Sequence, residues 1–205
     1  MGLNQADERE RAGVLPRDWL LPILAVAAAV SIALAGEAGR EFLRYDRTAI
    51  ASGELWRLLS GHFAHLGTSH LILNILGLLL VWFLVAAHLT RRQWLVVTAI
   101  VIAGVDLGFW FLQPQLLGYV GLSGLLHGLL AAGVVAGLRS GRPEPAILAV
   151  ILVAKLAYEQ LAGPLPGSEA STGGNVIVAA HAYGAIVGAI AAGIMQIRVR
   201  DRAPI

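Results

Sequence analysis

The sequence predicts an all-α fold, a polytopic membrane bundle of six transmembrane helices, and three observations predict it. The 205 residues are 57% hydrophobic and only 14% charged, with a mean hydropathy of +0.72, too little charge to wet the surface of a soluble domain of this size. Six apolar runs approach the about 20 residues that a helix needs to cross a hydrocarbon core of ~30 Å. These runs are continuous and rich in Leu and Ala, with no alternation of polarity, which argues against membrane strands.

In order, the spans are Trp19–Ala35, Ser69–His88, Trp94–Leu112, Leu122–Leu138, Ala146–Leu161 and Val176–Ile197. Residues 1–18 form a polar N-terminal segment, 19–197 one membrane domain and 198–205 a polar tail. The first span also carries Ala33-Leu34-Ala35, the pattern of a signal-peptidase site, although the polar leader is long for a signal peptide. The longest polar stretch, Gly36 to Thr68, mixes charges with Phe42, Leu43, Tyr45, Leu55 and Trp56, as a segment lying in the membrane interface does.

Arginine placement orients the bundle. Six spans put both termini on one side, together with Arg9, Arg11, Arg17, Arg91, Arg92, Arg139, Arg142, Arg198, Arg200 and Arg202. The other side holds Arg40, Arg44, Arg47 and Arg57, all in one loop. Cytoplasmic termini follow. The arginines are scattered, with no basic stripe interleaved by aromatics, so no nucleic-acid partner is expected. No cysteine is present, which removes disulfides, thiolate metal sites and cysteine nucleophiles.

Polar groups within spans are costly and mark function. His70 and Asn74 start the second span, Ser123 the fourth and His181 the sixth. In the derived orientation every even-numbered span runs inward, so these residues share one layer near the outer face. His70 and Asn74, four apart, stack on one helical face. Ser123 lies between Gly121 and Gly124 at a helix start, where free N–H groups favour a developing negative charge. Gly118 and Gly121 would let the preceding loop dip below the surface. Gly124, Gly128 and Ala132 on the fourth span, and Gly184, Gly188 and Ala192 on the sixth, form small-residue stripes that let helices touch. That contact would bring His181 to Ser123.

Each residue has a plainer reading. Ser123 alone suits helix packing, His181 alone a hydrogen-bonded core position, and His70 with Asn74 a tie between helices. The coincidence of depth favours chemistry. Lys155 and Glu159, four apart on the fifth span, read as an ion pair. Asp106 on the third span has two readings, as a group that orients a histidine or as one paired elsewhere. His62, His65 and His70 form a H-x2-H-x4-H run that could suggest a metal, although it lacks helix-compatible ligand spacing. Arg57 is expected to tie the first loop to carbonyls or to Glu54.

Four motifs, taken together, resemble the rhomboid intramembrane serine proteases: Trp56-Arg57, HLILN from His70 to Asn74, GLSG from Gly121 to Gly124, and AHAYG from Ala180 to Gly184. The stretch YVGLSGLLHG is more similar to the rhombosortase branch. The resemblance implies a six-helix rhomboid bundle and a Ser–His dyad, with Ser123 as nucleophile and His181 as general base. It assigns His70 and Asn74 to the oxyanion, with Gly121, Gly124, His127 and Gly184 in support. No cofactor or metal is implied, and no carboxylate completes a triad. The implied location is a bacterial inner membrane with the active site toward the periplasm. The implied partners are single-pass membrane proteins with a C-terminal anchor helix, bearing a Gly-Gly motif and a basic tail, within the lipid bilayer. Two positions depart from many rhomboids: His127 replaces tyrosine, and Tyr183-Gly184 replaces two glycines. His127 is thereby a rival base. A catalytically silent, helix-binding rhomboid-like protein and a small transporter are rival functions. Silent members lose the serine or histidine, and a transporter needs a polar path through the inner half.

Overall fold

The computed structural model describes residues 18–200; residues 1–17 and 201–205, with Arg9, Arg11, Arg17 and Arg202, lie outside the described residues. The helices are α1 (Leu20–Leu34), α2 (Gly36–Leu43), α3 (Arg47–Ala51), α4 (Arg57–Ser60), α5 (Thr68–Val85), α6 (Arg91–Leu112), α7 (Ser123–Gly137), α8 (Pro143–Ala162), α9 (Ser168–Thr172) and α10 (Val178–Arg200). Among the described residues, five helices are long and apolar enough to cross a membrane: α5, α6, α7, α8 and α10, with α5 and α7 each extended by a short 3₁₀ turn. The first of the six expected spans is shorter. Its helix has 15 residues, a length of ~22 Å, because Gly36 adopts φ +68° and turns the chain into α2.

The all-α expectation holds for every long element, with one addition outside the spans. β1 (Tyr45–Asp46) and β2 (Gly118–Tyr119) form an antiparallel ladder in which Tyr45 faces Tyr119. Two residues are too few to leave a periodic signal in sequence.

The central helix is α7, against which α5, α6, α8 and α10 all pack. Its most intimate partner is α10, and glycine is the reason. A Cβ at Gly184 would run into the carbonyl oxygen of Gly124, and one at Gly188 into that of Gly128. Without those atoms the two backbones touch directly, the packing mode available to helices in lipid. Trp82 and Trp94, both buried, fill the far end of the α5–α6 contact with ring centroids 5.2 Å apart. By contrast, α8 is mostly exposed along Val150, Ile151, Val153 and Leu161, the surface of a helix facing lipid.

The first loop braces the loop ahead of α7. Buried Arg57 donates to the carbonyls of Glu41 (2.8 Å) and Arg44 (3.0 Å) and to Glu54 Oε2 (2.6 Å), so both expected roles are present. Arg47 donates to the carbonyls of Phe109 (3.1 Å) and Trp110 (2.6 Å), satisfying the open end of α6. Its own N–H donates to Leu117 O at 2.9 Å, and Gly121 N–H donates to Gly61 O at 3.2 Å. With the β1–β2 ladder, these bonds clamp the segment that leads to Ser123.

Candidate active site

Ser123 is the first residue of α7, so helical geometry gives its N–H no partner in the preceding turn. Gly121 precedes it at φ +123°, a conformation that side chains disfavour. Gly118, also expected to bend here, instead sits in the extended β2. Tyr119 is the residue that sequence reasoning missed. Its buried hydroxyl donates to Gly121 O at 2.7 Å and holds the sharp turn from within. Burial raises that phenol to about 12, so it remains a donor at any physiological pH. A tyrosine two residues before a glycine turn was the available signal, although tyrosine there is also ordinary core.

From α10, His181 Nε2 lies 3.0 Å from Ser123 Oγ. Its other nitrogen, Nδ1, lies 2.9 Å from Glu159 Oε2 on α8. A carboxylate can only accept, so Nδ1 carries a proton; in neutral imidazole the Nε2 lone pair then faces the serine hydroxyl. The expected ion pair alone does not account for Glu159, which also reaches the histidine. Glu159 does form the expected ion pair, Lys155 Nζ to Oε1 at 2.7 Å, but its second oxygen serves His181. Asp106 does not reach His181; it pairs with His62 at 3.2 Å, joining the first loop to α6.

His127, one turn along α7, directs Nδ1 to its own helix's Ser123 O at 2.7 Å. Its ring stacks on that of His181, centroids 4.1 Å apart and planes 16° apart. Tyr183 turns to α6, where it accepts from Gln113 Nε2 at 3.1 Å, leaving Gly184 to face α7. The departure from paired glycines therefore keeps the small residue where the helices touch.

Leu66 N–H, in the loop before α5, donates to His70 Nδ1 on that helix at 3.4 Å, which places the proton of neutral His70 on Nε2. That nitrogen faces Gly121: a Cβ there would lie 2.9 Å from it and 3.9 Å from Asn74 Nδ2. Asn74 Nδ2 donates to His70 O at 3.0 Å, and its second N–H remains. Ser123, His181, His70, Asn74 and His127 all line one cavity of about 800 Å³. Such a space accommodates several residues of extended peptide.

The H-x2-H-x4-H run is not brought together as a metal site, since His62 turns to Asp106 and His65 Nδ1 to Phe63 O. Among the described residues, ligand atoms of His127, Glu159 and His181 lie within 4.8 Å of one another. A shared ion would have to lie in both ring planes, and two nearly parallel stacked rings do not point at a common place.

A proton acceptor poised on a hydroxyl, beside convergent N–H donors and inside a bundle of membrane-length helices, defines a polytopic membrane protein with serine-hydrolase geometry. The chain belongs to the rhomboid family: the Rhomboid domain model matches residues 52–198, from the first loop into α10. Members of that family are typically intramembrane serine proteases. No curated protein matches the chain significantly.

Proposed function

We propose that the protein is an intramembrane serine endopeptidase in which Ser123 is the nucleophile and His181 the general base. The observation that carries this reading is the 3.0 Å contact between Ser123 Oγ and His181 Nε2 at the wall of the cavity, within the ~2.6–3.2 Å reach that proton transfer requires. Oγ attacks the scissile carbonyl carbon as its proton passes to Nε2. The tetrahedral oxyanion is held by the Ser123 N–H, His70 Nε2–H and Asn74 Nδ2–H, donors of a kind each worth about 3–4 kcal/mol. On collapse the C–N bond breaks, His181 returns the proton to the leaving amine, and the acyl group stays on Ser123. Water, deprotonated in turn by His181, releases it.

The substrate class rests on the YVGLSGLLHG resemblance. On that reading the enzyme removes C-terminal anchors from single-pass membrane proteins by rhombosortase-like processing of Gly-Gly sorting signals. The arginine distribution supports cytoplasmic termini and a site opening toward the periplasm. A silent, helix-binding role fits less well because serine and histidine are both retained and in contact. A fluorophosphonate probe tests the reading: the wild-type chain should label and Ser123→Ala should not. Absent wild-type labelling would refute it. Comparing membrane and secreted proteins from cells with and without Ser123→Ala would test the substrate class.

A further inference from the structure

Glu159 is buried, 3% exposed, on a helix whose outward face is almost wholly apolar. An ion pair with Lys155 accounts for one of its oxygens and leaves the other to be satisfied. A buried carboxylate with a single partner is expensive to keep. The second oxygen is instead spent on the base itself, 2.9 Å from Nδ1. The contact spans two helices and joins α8 to α10 at the depth of Ser123.

Resting on the protease reading above, we propose that Glu159 is a positioning residue for His181, and that Lys155 is the counter-cation of its other oxygen. Ser123, His181 and Glu159 then form a triad in place of the expected dyad. Glu159 fixes the Nδ1–H tautomer and the ring angle, so that the Nε2 lone pair is aimed before substrate arrives. During reaction the charges alternate along one line: Lys155 ammonium, Glu159 carboxylate, His181 imidazolium, oxyanion. Each new charge formed on attack has an opposite neighbour, with no reorganisation needed in a low-dielectric site. The Lys155–Glu159 approach is a charge contact, so the ammonium can hold Oε1 without drawing Oε2 off the imidazole.

The groups surrounding His181 set the sign of the test. Lys155 and Glu159 face it from α8, Ser123 and His127 from α7, and His70 lies across the cavity on α5, with Arg40, Glu41 and Arg44 of α2 at its rim. On α6, Asp106 is engaged with His62. Removing the carboxylate removes the charge that favours imidazolium, and removing the ammonium removes one that opposes it.

The test is the rate of fluorophosphonate labelling of the purified full-length chain in detergent, measured from pH 5 to 8.5. Ser123→Ala is the blank. Glu159→Gln should label about a hundredfold more slowly or worse, and the midpoint of its acid limb should move to lower pH by about one unit. A Glu159→Gln midpoint that stays put or rises, even with a slower rate, marks a merely structural role and overturns the proposal while leaving Ser123 and His181 in place. Should Glu159→Gln fail to fold, Lys155→Met reads the same line of charge. Its midpoint should rise, and one that is unmoved or lower overturns the proposal. A wild-type chain that does not label removes the protease reading and this one with it.

Discussion

His127 and His181 stack face to face, centroids 4.1 Å apart and planes 16° apart, yet only His181 addresses the serine hydroxyl. His127 spends Nδ1 on a carbonyl of its own helix, a carbonyl that can only accept. It is a plate against which the proposed base rests. His181→Ala should therefore reduce turnover at least about a thousandfold. His127→Ala should lose only about tenfold, through looser orientation of the neighbouring ring. Labelling rates of the two variants check this, and the reverse ranking would transfer the base to His127.

Tyr119 holds the turn before Ser123 through its hydroxyl, which donates to Gly121 O at 2.7 Å and also meets the Gly124 N–H and the Ser123 side chain. Tyr119→Phe keeps the ring, its contact with Phe109 at 4.8 Å and the ladder to Tyr45. It leaves a carbonyl unsatisfied at a cost of about 1–3 kcal/mol. The expected outcome is a modest fall in melting temperature and a larger fall in labelling rate. Wild-type labelling by Tyr119→Phe would show that the clamps from the first loop suffice.

Gly184 and Gly124 are in backbone contact, and a methyl group at 184 has nowhere to go. The obstacle is a helix carbonyl rather than a flexible side chain, so relief requires α7 and α10 to separate and carries Ser123 away from His181. Gly184→Ala should destabilise by ~3 kcal/mol, the upper end for overpacking, and should abolish labelling. Gly193→Ala, with open space around it, is the control and should behave as wild type in both thermal melts and labelling.

What was legible in the sequence follows from what is local. The five long spans declare themselves by apolar length, and the α7–α10 contact by glycine spacing. The shared depth of His70, Asn74, Ser123 and His181 comes from counting along helices. Glu159 escaped because Lys155, four residues away, already offers a complete local explanation. Its tie to His181 crosses between helices, 22 residues apart. The overlooked signal was the carboxylate's second oxygen, which a lone ammonium leaves unmet within an otherwise apolar span. Asp106 was a candidate partner for a histidine, but which one depends on helix rotation, and packing turns it to His62. The β1–β2 ladder is too short for any periodicity to announce it.

His65 supplies a stability test that is independent of catalysis. It lies before α5, buried beside His70 with ring centroids 5.0 Å apart, and its Nδ1 is held by Phe63 O at 3.0 Å. Burial, reinforced by the neighbouring His70, lowers it from the ordinary 6.5 to about 4. Between those values an unfolded chain takes up a proton that the folded chain refuses, so stability falls as pH drops through the window. Above the ordinary value the contribution is constant. Within the window the slope is at most about 1.4 kcal/mol per pH unit. His65→Asn keeps a donor for Phe63 O and does not titrate. Thermal melts of the purified chain in detergent should show a fall between pH 6.5 and 4.5 that is shallower in His65→Asn than in the wild type, with the curves running parallel above pH 7. Curves that stay parallel throughout would mean that the unfolded and folded chains bind this proton alike, which a histidine enclosed in this way does not allow.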